Sequence, residues 1–443
     1  MHRSTRRADN RGFILVVGLV IATGLMTLMS VGLTRSLGEL SVADRAIGLQ
    51  QEFYLAEAGV DAGLQWLRAQ ASPPVCGAPA PANPIQGFFP WCTLDPLNGA
   101  QALGRGTYTV AIEPDDNNPT SHVDLYRIRT TATVNGTSRI VSVLCRTESF
   151  ARFQQFTQSD SGVWITGSGA NGPVHTNGKF IMLGTPTFYE PASSVAPSLD
   201  CPYGPCTPKF YKGVGLGVPQ VQLTVDLEPL KTSSLNLTGD TTVELNGQTA
   251  FVTNADQGWV NHPVAISATP ALYVNSGTLM LTGGMLDGQL TMGSDSDILV
   301  TGPVRYACDP LIPYWDVDCL DGDGQVAYND DMLGLVAQRN VVVTTAAPTT
   351  NMRVDAAVMT LDGKYYYEDY GGAKRGFMFR LGGFVAKETG YFRTVDLSSG
   401  TCVGGYCYSY WSYDKRLLNI APPYYPTTGR YEKILWQEEE AAP

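Results

Sequence analysis

From Phe13 to Thr34 the chain carries no charge: FILVVGLVIATGLMTLMSVGLT is apolar all round a helix. Further on the apolar positions thin to a stripe. Leu49, Phe53, Ala56, Val60, Leu64 and Leu67 recur three or four apart, while Gln51, Glu52, Asp61, Gln65 and Arg68 fall off it. That spacing is amphipathic, so one continuous helix is predicted over about 13–70. The proline-rich SPPVCGAPAPANPIQG then ends it. At ~1.5 Å per residue the uncharged stretch reaches about 33 Å, which matches a bilayer core and exceeds the apolar region of ~7–15 residues in a secretion signal.

Alternation with a period of two follows. GTYTVAIEP, LYRIRTTATV and SRIVSVLC within 106–147 read as an antiparallel sheet, and Asn135-Gly136 suits the type I′ turn of a hairpin. Beyond about 155 short β runs alternate with Gly, Asn and Asp, as in ALYVNSGTLMLTGGMLDGQLTMGSDSDILVTG. Such rungs predict a parallel β-solenoid, with a β-sandwich as the alternative. The fold class expected is α+β, mainly β. A leader (1–12) precedes the helix (13–70, membrane-spanning over 13–34), a small antiparallel sheet domain (71–152) and a β-rich domain (153–443).

Charge and cysteines narrow the setting. The chain has 30 Lys+Arg against 41 Asp+Glu, a formal charge of −11, and no basic run after the first eleven residues. Nucleic acid is therefore excluded as an expected partner. Eight of the nine cysteines fall into close pairs, Cys76/Cys92, Cys201/Cys206, Cys308/Cys319 and Cys402/Cys407, with no C-x-x-C and only four histidines. Local disulfides in an oxidising compartment fit this better than metal ligation. Cys145 is left over, in an apolar run, as a core thiol. Arg3, Arg6, Arg7 and Arg11 precede the apolar block, which places the amino terminus in the cytoplasm and the bulk of the chain outside it.

A basic leader ending in Gly12, an aromatic Phe13, an apolar half-helix and an amphipathic half that ends near FYLAEAGVDAGLQWL together resemble the type IV pilin superfamily. Ala56, Glu57, Ala58 and Gly59 are similar to the signature of PilX-type minor pilins and K-type pseudopilins. The resemblance implies cleavage between Gly12 and Phe13, other pilins and pilus assembly proteins as partners, and passage from the inner membrane to a pilus, the periplasm or the cell surface. Most pilins carry Glu at the fifth mature position; here it is Val17, and those two subgroups also lack the Glu. A carboxylate in an apolar bundle needs a partner such as a neighbouring subunit's new amino group, and Val17 offers none. The resemblance therefore implies a minor subunit that contributes to assembly, priming or adhesion to a host, surface or glycan.

For chemistry, DVDCLDGDGQVAYNDD (316–331) aligns Gly324 with the turn glycine of an EF-hand-like calcium loop. Asp321, Asp323, Gln325 through its carbonyl and Asp330 then take ligand positions; Cys319 occupies the first position, with Asp318 beside it. Calcium is the cofactor expected. GSGANG (167–172) matches a dinucleotide motif only as text, because Pro173 stands where a helix should open. His122, His175 and His262 are scattered and fit no hydrolase motif. Asp295 with Asp297, or Glu368 with Asp369, would be the acid pairs of a membrane-anchored glycan-cleaving or glycan-binding solenoid, the alternative function. The Tyr and Trp residues between Tyr406 and Trp436 are expected to cover an end of the β domain. No turnover chemistry is expected. If calcium binds, the unfolding midpoint is higher in calcium than in chelator and Asp323→Ala abolishes the difference; equal wild-type midpoints would remove the site.

Overall fold

A computed structural model of the chain describes residues 11–70, 74, 93–115, 124–223, 225, 227–308 and 330–439, with side chains at 11–14 and 115 left out. Helix α1 runs unbroken over Arg11–Arg68. Its carboxyl-terminal half lies on an antiparallel sheet made by β1 (Gln101–Leu103), β2 (Gly106–Asp115), β3 (Leu125–Val134) and β4 (Thr137–Ser149). The predicted hairpin is present, with Asn135 at φ 51° and Gly136 at φ 86°. Leu55, Ala56, Val60, Leu64 and Leu67 pack against Val110, Ile112, Tyr126, Ile128, Val143 and Cys145. Each buried Leu, Val or Ile of this set stabilises by roughly 1.5–3 kcal/mol over its exposed state.

The helix approaches this sheet closely because two glycines face it. A Cβ on Gly59 would run into the Thr130 side chain, and one on Gly63 would lie 2.9 Å from Ile128 Cγ2 and 3.1 Å from Val110 Cγ1. Leu49 departs from the predicted stripe and is exposed, because the sheet does not extend that far. Glu52, read as a polar-face residue, is buried and accepts a hydrogen bond from Thr137 Oγ1.

The small sheet has a fifth strand. Thr427–Glu439 pairs antiparallel with β4, from Thr427↔Ser149 to Glu439↔Ile140. The sequence reading placed this segment in one β-rich domain over 153–443; it belongs to the small sheet instead. The pairing partners are separated by the whole intervening domain, so no local pattern signals it.

Between β4 and that last strand lies a parallel β-solenoid, not a sandwich. Ten strands stack in parallel in one sheet, and the register Gln155↔Val174↔Ala192↔Val214 steps through four successive rungs. From Val214–Leu216 the chain crosses to the opposite end of the stack, resumes at Leu235–Thr238, and winds back until Phe384–Ala386 pairs with Gln155–Thr157. The chain therefore starts and finishes its winding in the middle of the solenoid. Inward columns such as Leu279, Ile298, Val341, Tyr365 and Leu281, Val300, Val343, Tyr367 fill the core. An antiparallel hairpin, Thr249–Asn254 and Trp259–Ala265, continues the second, twelve-stranded sheet at one end. The aromatics expected at an end divide: Tyr406, Tyr408, Tyr410 and Trp411 lie in the strand Cys402–Ser412, next to an edge strand of the same twelve-stranded sheet, whereas Tyr413 and Tyr425 are buried where the chain leaves the solenoid and Tyr431 packs edge-on against Tyr126 at 5.7 Å.

Gly59→Ala therefore destabilises the helix–sheet unit by about 1–3 kcal/mol through overpacking. Gly48→Ala, where a Cβ meets nothing within 4 Å, instead stabilises by up to about 1 kcal/mol from helix propensity. Denaturant unfolding of the two variants in detergent checks the opposite signs.

Candidate assembly helix

The amino-terminal half of α1 has no cover. Every residue from Leu15 to Ile47 is exposed, and at Gly18, Gly24, Gly32 and Gly38 a side chain would meet nothing within 4 Å of its Cβ. Among the described residues α1 is the one helix long and apolar enough to cross a membrane. Thr23, Thr27, Ser30 and Thr34 turn their hydroxyls back onto carbonyls three or four residues earlier, for example Thr23 Oγ1 to Leu19 O at 2.9 Å. Polar groups within the apolar segment are thus satisfied inside the helix, as a bilayer or a helical bundle requires. Val17 presents an aliphatic side chain, 38% exposed, at the position read as the fifth mature residue.

The AEAG segment works at the opposite face, where α1 leaves the apolar zone and meets the sheet. Ala56 is fully buried and Gly59 allows the close approach to Thr130. Glu57 Oε1 accepts from Trp436 Nε1 at 2.6 Å, and Asp61 pairs with Lys433 at 3.3 Å, so the last strand is fastened to the helix. Arg139 donates to Leu49 O at 3.2 Å and pairs with Glu438 at 2.6 Å. These partners of Glu57 and Asp61 were missed from sequence. A signal existed in the acids Glu432, Glu438 and Glu439, which match Arg146, Arg139 and Arg129.

A chain of ion pairs fixes the solenoid to the small sheet where the chain enters and leaves. Glu148 meets Arg152 at 2.5 Å, Arg152 meets Glu432 at 3.3 Å, and Glu432 meets Arg146 at 2.9 Å. Arg146 Nη1 also donates to Asn419 Oδ1 at 2.8 Å. Burial acts to raise the Glu432 pKa, but the hydrogen bonds and charges of Arg146 and Arg152 outweigh it and hold the carboxyl below its usual range.

The remaining sequence-predicted positions disperse. Gly12 and Phe13 lie in the first turn of α1, with side chains outside the described set. Asp318, Asp321, Asp323 and Gln325 lie outside the described residues; of the expected calcium ligands only Asp330 is described, half-buried. The neighbouring Asp331 turns inward and accepts from the backbone N–H of Gly288 (2.7 Å) and Cys308 (2.8 Å). No group of three or more His, Cys, Asp or Glu suited to a metal occurs among the described residues.

Cys201–Cys206 and Cys402–Cys407 are disulfides, with Cα separations of 6.0 and 5.5 Å. Cys308 is disulfide-bonded too; Cys319, Cys76 and Cys92 lie outside the described residues. Cys145 is a buried free thiol, pushed up to about 12 by burial, as a core residue should be. GSGANG contains a two-residue strand and leads into Val174–Thr176, so no helix opens there. Asp297 binds Arg339 and Asn340, Asp295 caps Ser276 N, and Glu368 caps Thr345 N. His175 is buried between Ser193 Oγ (2.8 Å) and Asn177 Oδ1 (2.9 Å).

No family model matches the sequence, and no curated protein matches it. Among solved structures, the competence-associated pilin ComZ from Thermus thermophilus aligns with 88% of this chain and 98% of its own, at 11% identity and a TM-score of 0.35.

Glu432→Gln lowers stability at neutral pH by about 1 kcal/mol, the scale of a partly exposed ion pair. The wild-type advantage is present above the usual carboxylate range and is lost as pH falls through the lower folded-state value. Denaturation of both proteins across acidic pH measures it; equal stability at neutral pH would remove the role of this pair.

Proposed function

We propose that the chain is a structural subunit of a type IV pilus or related secretion filament, a PilX-type minor pilin that displays a β-solenoid. One observation carries this reading: α1 is a single helix whose first half is apolar and bare while its second half is built into a sheet closed by the chain's last strand. A bare apolar half-helix has two stable surroundings, lipid or the apolar helices of other subunits. A filament subunit uses both in turn, first as a single-pass inner-membrane protein with a cytoplasmic amino terminus and later in the filament, periplasm or cell surface. Other pilins and assembly proteins are its partners.

Val17 supports the minor role, because a subunit without a carboxylate there cannot pair with a neighbour's amino terminus. The solenoid's part is assembly, priming or adhesion without turnover, and calcium in the 316–331 segment belongs to the same proposal. Intact mass of the membrane-extracted protein tests the reading. Loss of residues 1–12 with a methylated Phe13 is the expected result; an uncleaved leader in cells with active prepilin processing would overturn it.

A further inference from the structure

On the solenoid wall a half-buried cation, Arg380, has no carboxylate partner among the described residues. Arg380, in the strand Lys374–Leu381, has Val354 and Trp411 as its register partners on either side and shares the inward face with the fully buried Met378. Its guanidinium lies 4.1 Å from the Phe392 ring centre and 5.1 Å from that of Trp411. The hydrogen bond it makes is a long one, from Nη2 to Ser409 Oγ at 3.4 Å, and Nε is shielded from solvent with no acceptor. Arg353 and Arg416 are paired with Asp355 and Asp414. Among the described residues no carboxylate acts on Arg380; burial pushes its pKa down to about 10, and the charge of Arg393 acts in the same direction.

Tyr365 has the matching deficiency. Its ring sits 4.8 Å from Phe392, its hydroxyl is buried without a partner, and burial keeps it protonated by raising its pKa. Two donors near one aromatic ring therefore lack an acceptor, and one of them is charged. Aromatic faces offset part of the cost of the half-buried cation, but they leave its shielded Nε–H without an acceptor. A water would supply lone pairs but no charge, and its own hydrogens would need acceptors. A small anion supplies both lone pairs and charge.

We propose that the solenoid binds a small monovalent inorganic anion, chloride in ordinary salt, which accepts from Arg380 Nε and the Tyr365 hydroxyl beside Phe392. The Arg380 side chain is only half-buried, so the ion has a route from solvent. Thermal unfolding of the full chain in detergent is compared at constant ionic strength in sodium chloride, sodium bromide and sodium gluconate, the last with a bulky organic anion. The midpoint rises and saturates with chloride and bromide in the wild type and stays flat in Arg380→Met. Equal wild-type midpoints in chloride and gluconate, or an unchanged chloride response in Arg380→Met, would overturn the site. Bromide-soaked wild-type crystals give a second reading independent of the variant's folding. An anomalous peak within hydrogen-bond reach of Arg380 Nε supports the anion, and an ordered water alone there overturns it.

Discussion

The hydrogen-bonded ladder between β4 and Thr427–Glu439 is the constraint to which the rest of the structure answers. Two neighbouring antiparallel strands hold the ends of everything between them close together, so the inserted domain must begin and finish at nearly the same place. A solenoid wound simply from one end to the other would separate its ends by its full length. Here the winding starts in the middle, runs to one end, crosses over and returns, so that Phe384–Ala386 completes the sheet beside Gln155–Thr157. The unusual strand order follows from closing the small sheet. The ion pairs linking Glu148, Arg152, Glu432 and Arg146 sit at the point where both ends of the insertion meet it.

Helix α1 serves two environments with one continuous backbone. Its first half satisfies its few hydroxyls internally and offers no charge from Leu15 to Thr34. Its second half needs a close protein neighbour, which Gly59 and Gly63 admit by lacking side chains at the points nearest Thr130 and Ile128. The change occurs near Glu52, which is buried and bonded to Thr137, and Arg139, which reaches back to Leu49 O and lies over the Phe53 ring at 5.3 Å. The globular part is therefore fixed rigidly to the end of the helix that leaves the apolar zone.

Legibility in the sequence followed the range of the interactions. The helix, its two-part character, the Asn135-Gly136 hairpin, the repeated short strands and the pairs Cys201/Cys206 and Cys402/Cys407 rest on periodicity or on residues a few positions apart, and all were readable. The last strand was not, since its partner lies 286 residues away in the Arg146–Glu432 pair. Tyr413, Tyr425 and Tyr431 were assigned to a solenoid end for the same reason. Their composition says that they need cover, and only the path of the chain says where that cover lies.

By itself, then, the sequence determined which segments form elements and which face of each is apolar, because those properties depend on side-chain volume, charge and spacing along one backbone. The tertiary structure alone decided that the solenoid is an insertion wound from its middle, that the chain's end fastens the helix, and that Arg380 lies half-buried with no carboxylate partner among the described residues. These are outcomes of which distant groups meet. Two strands pair, and a charge finds or lacks a partner, only once the whole chain has closed around them.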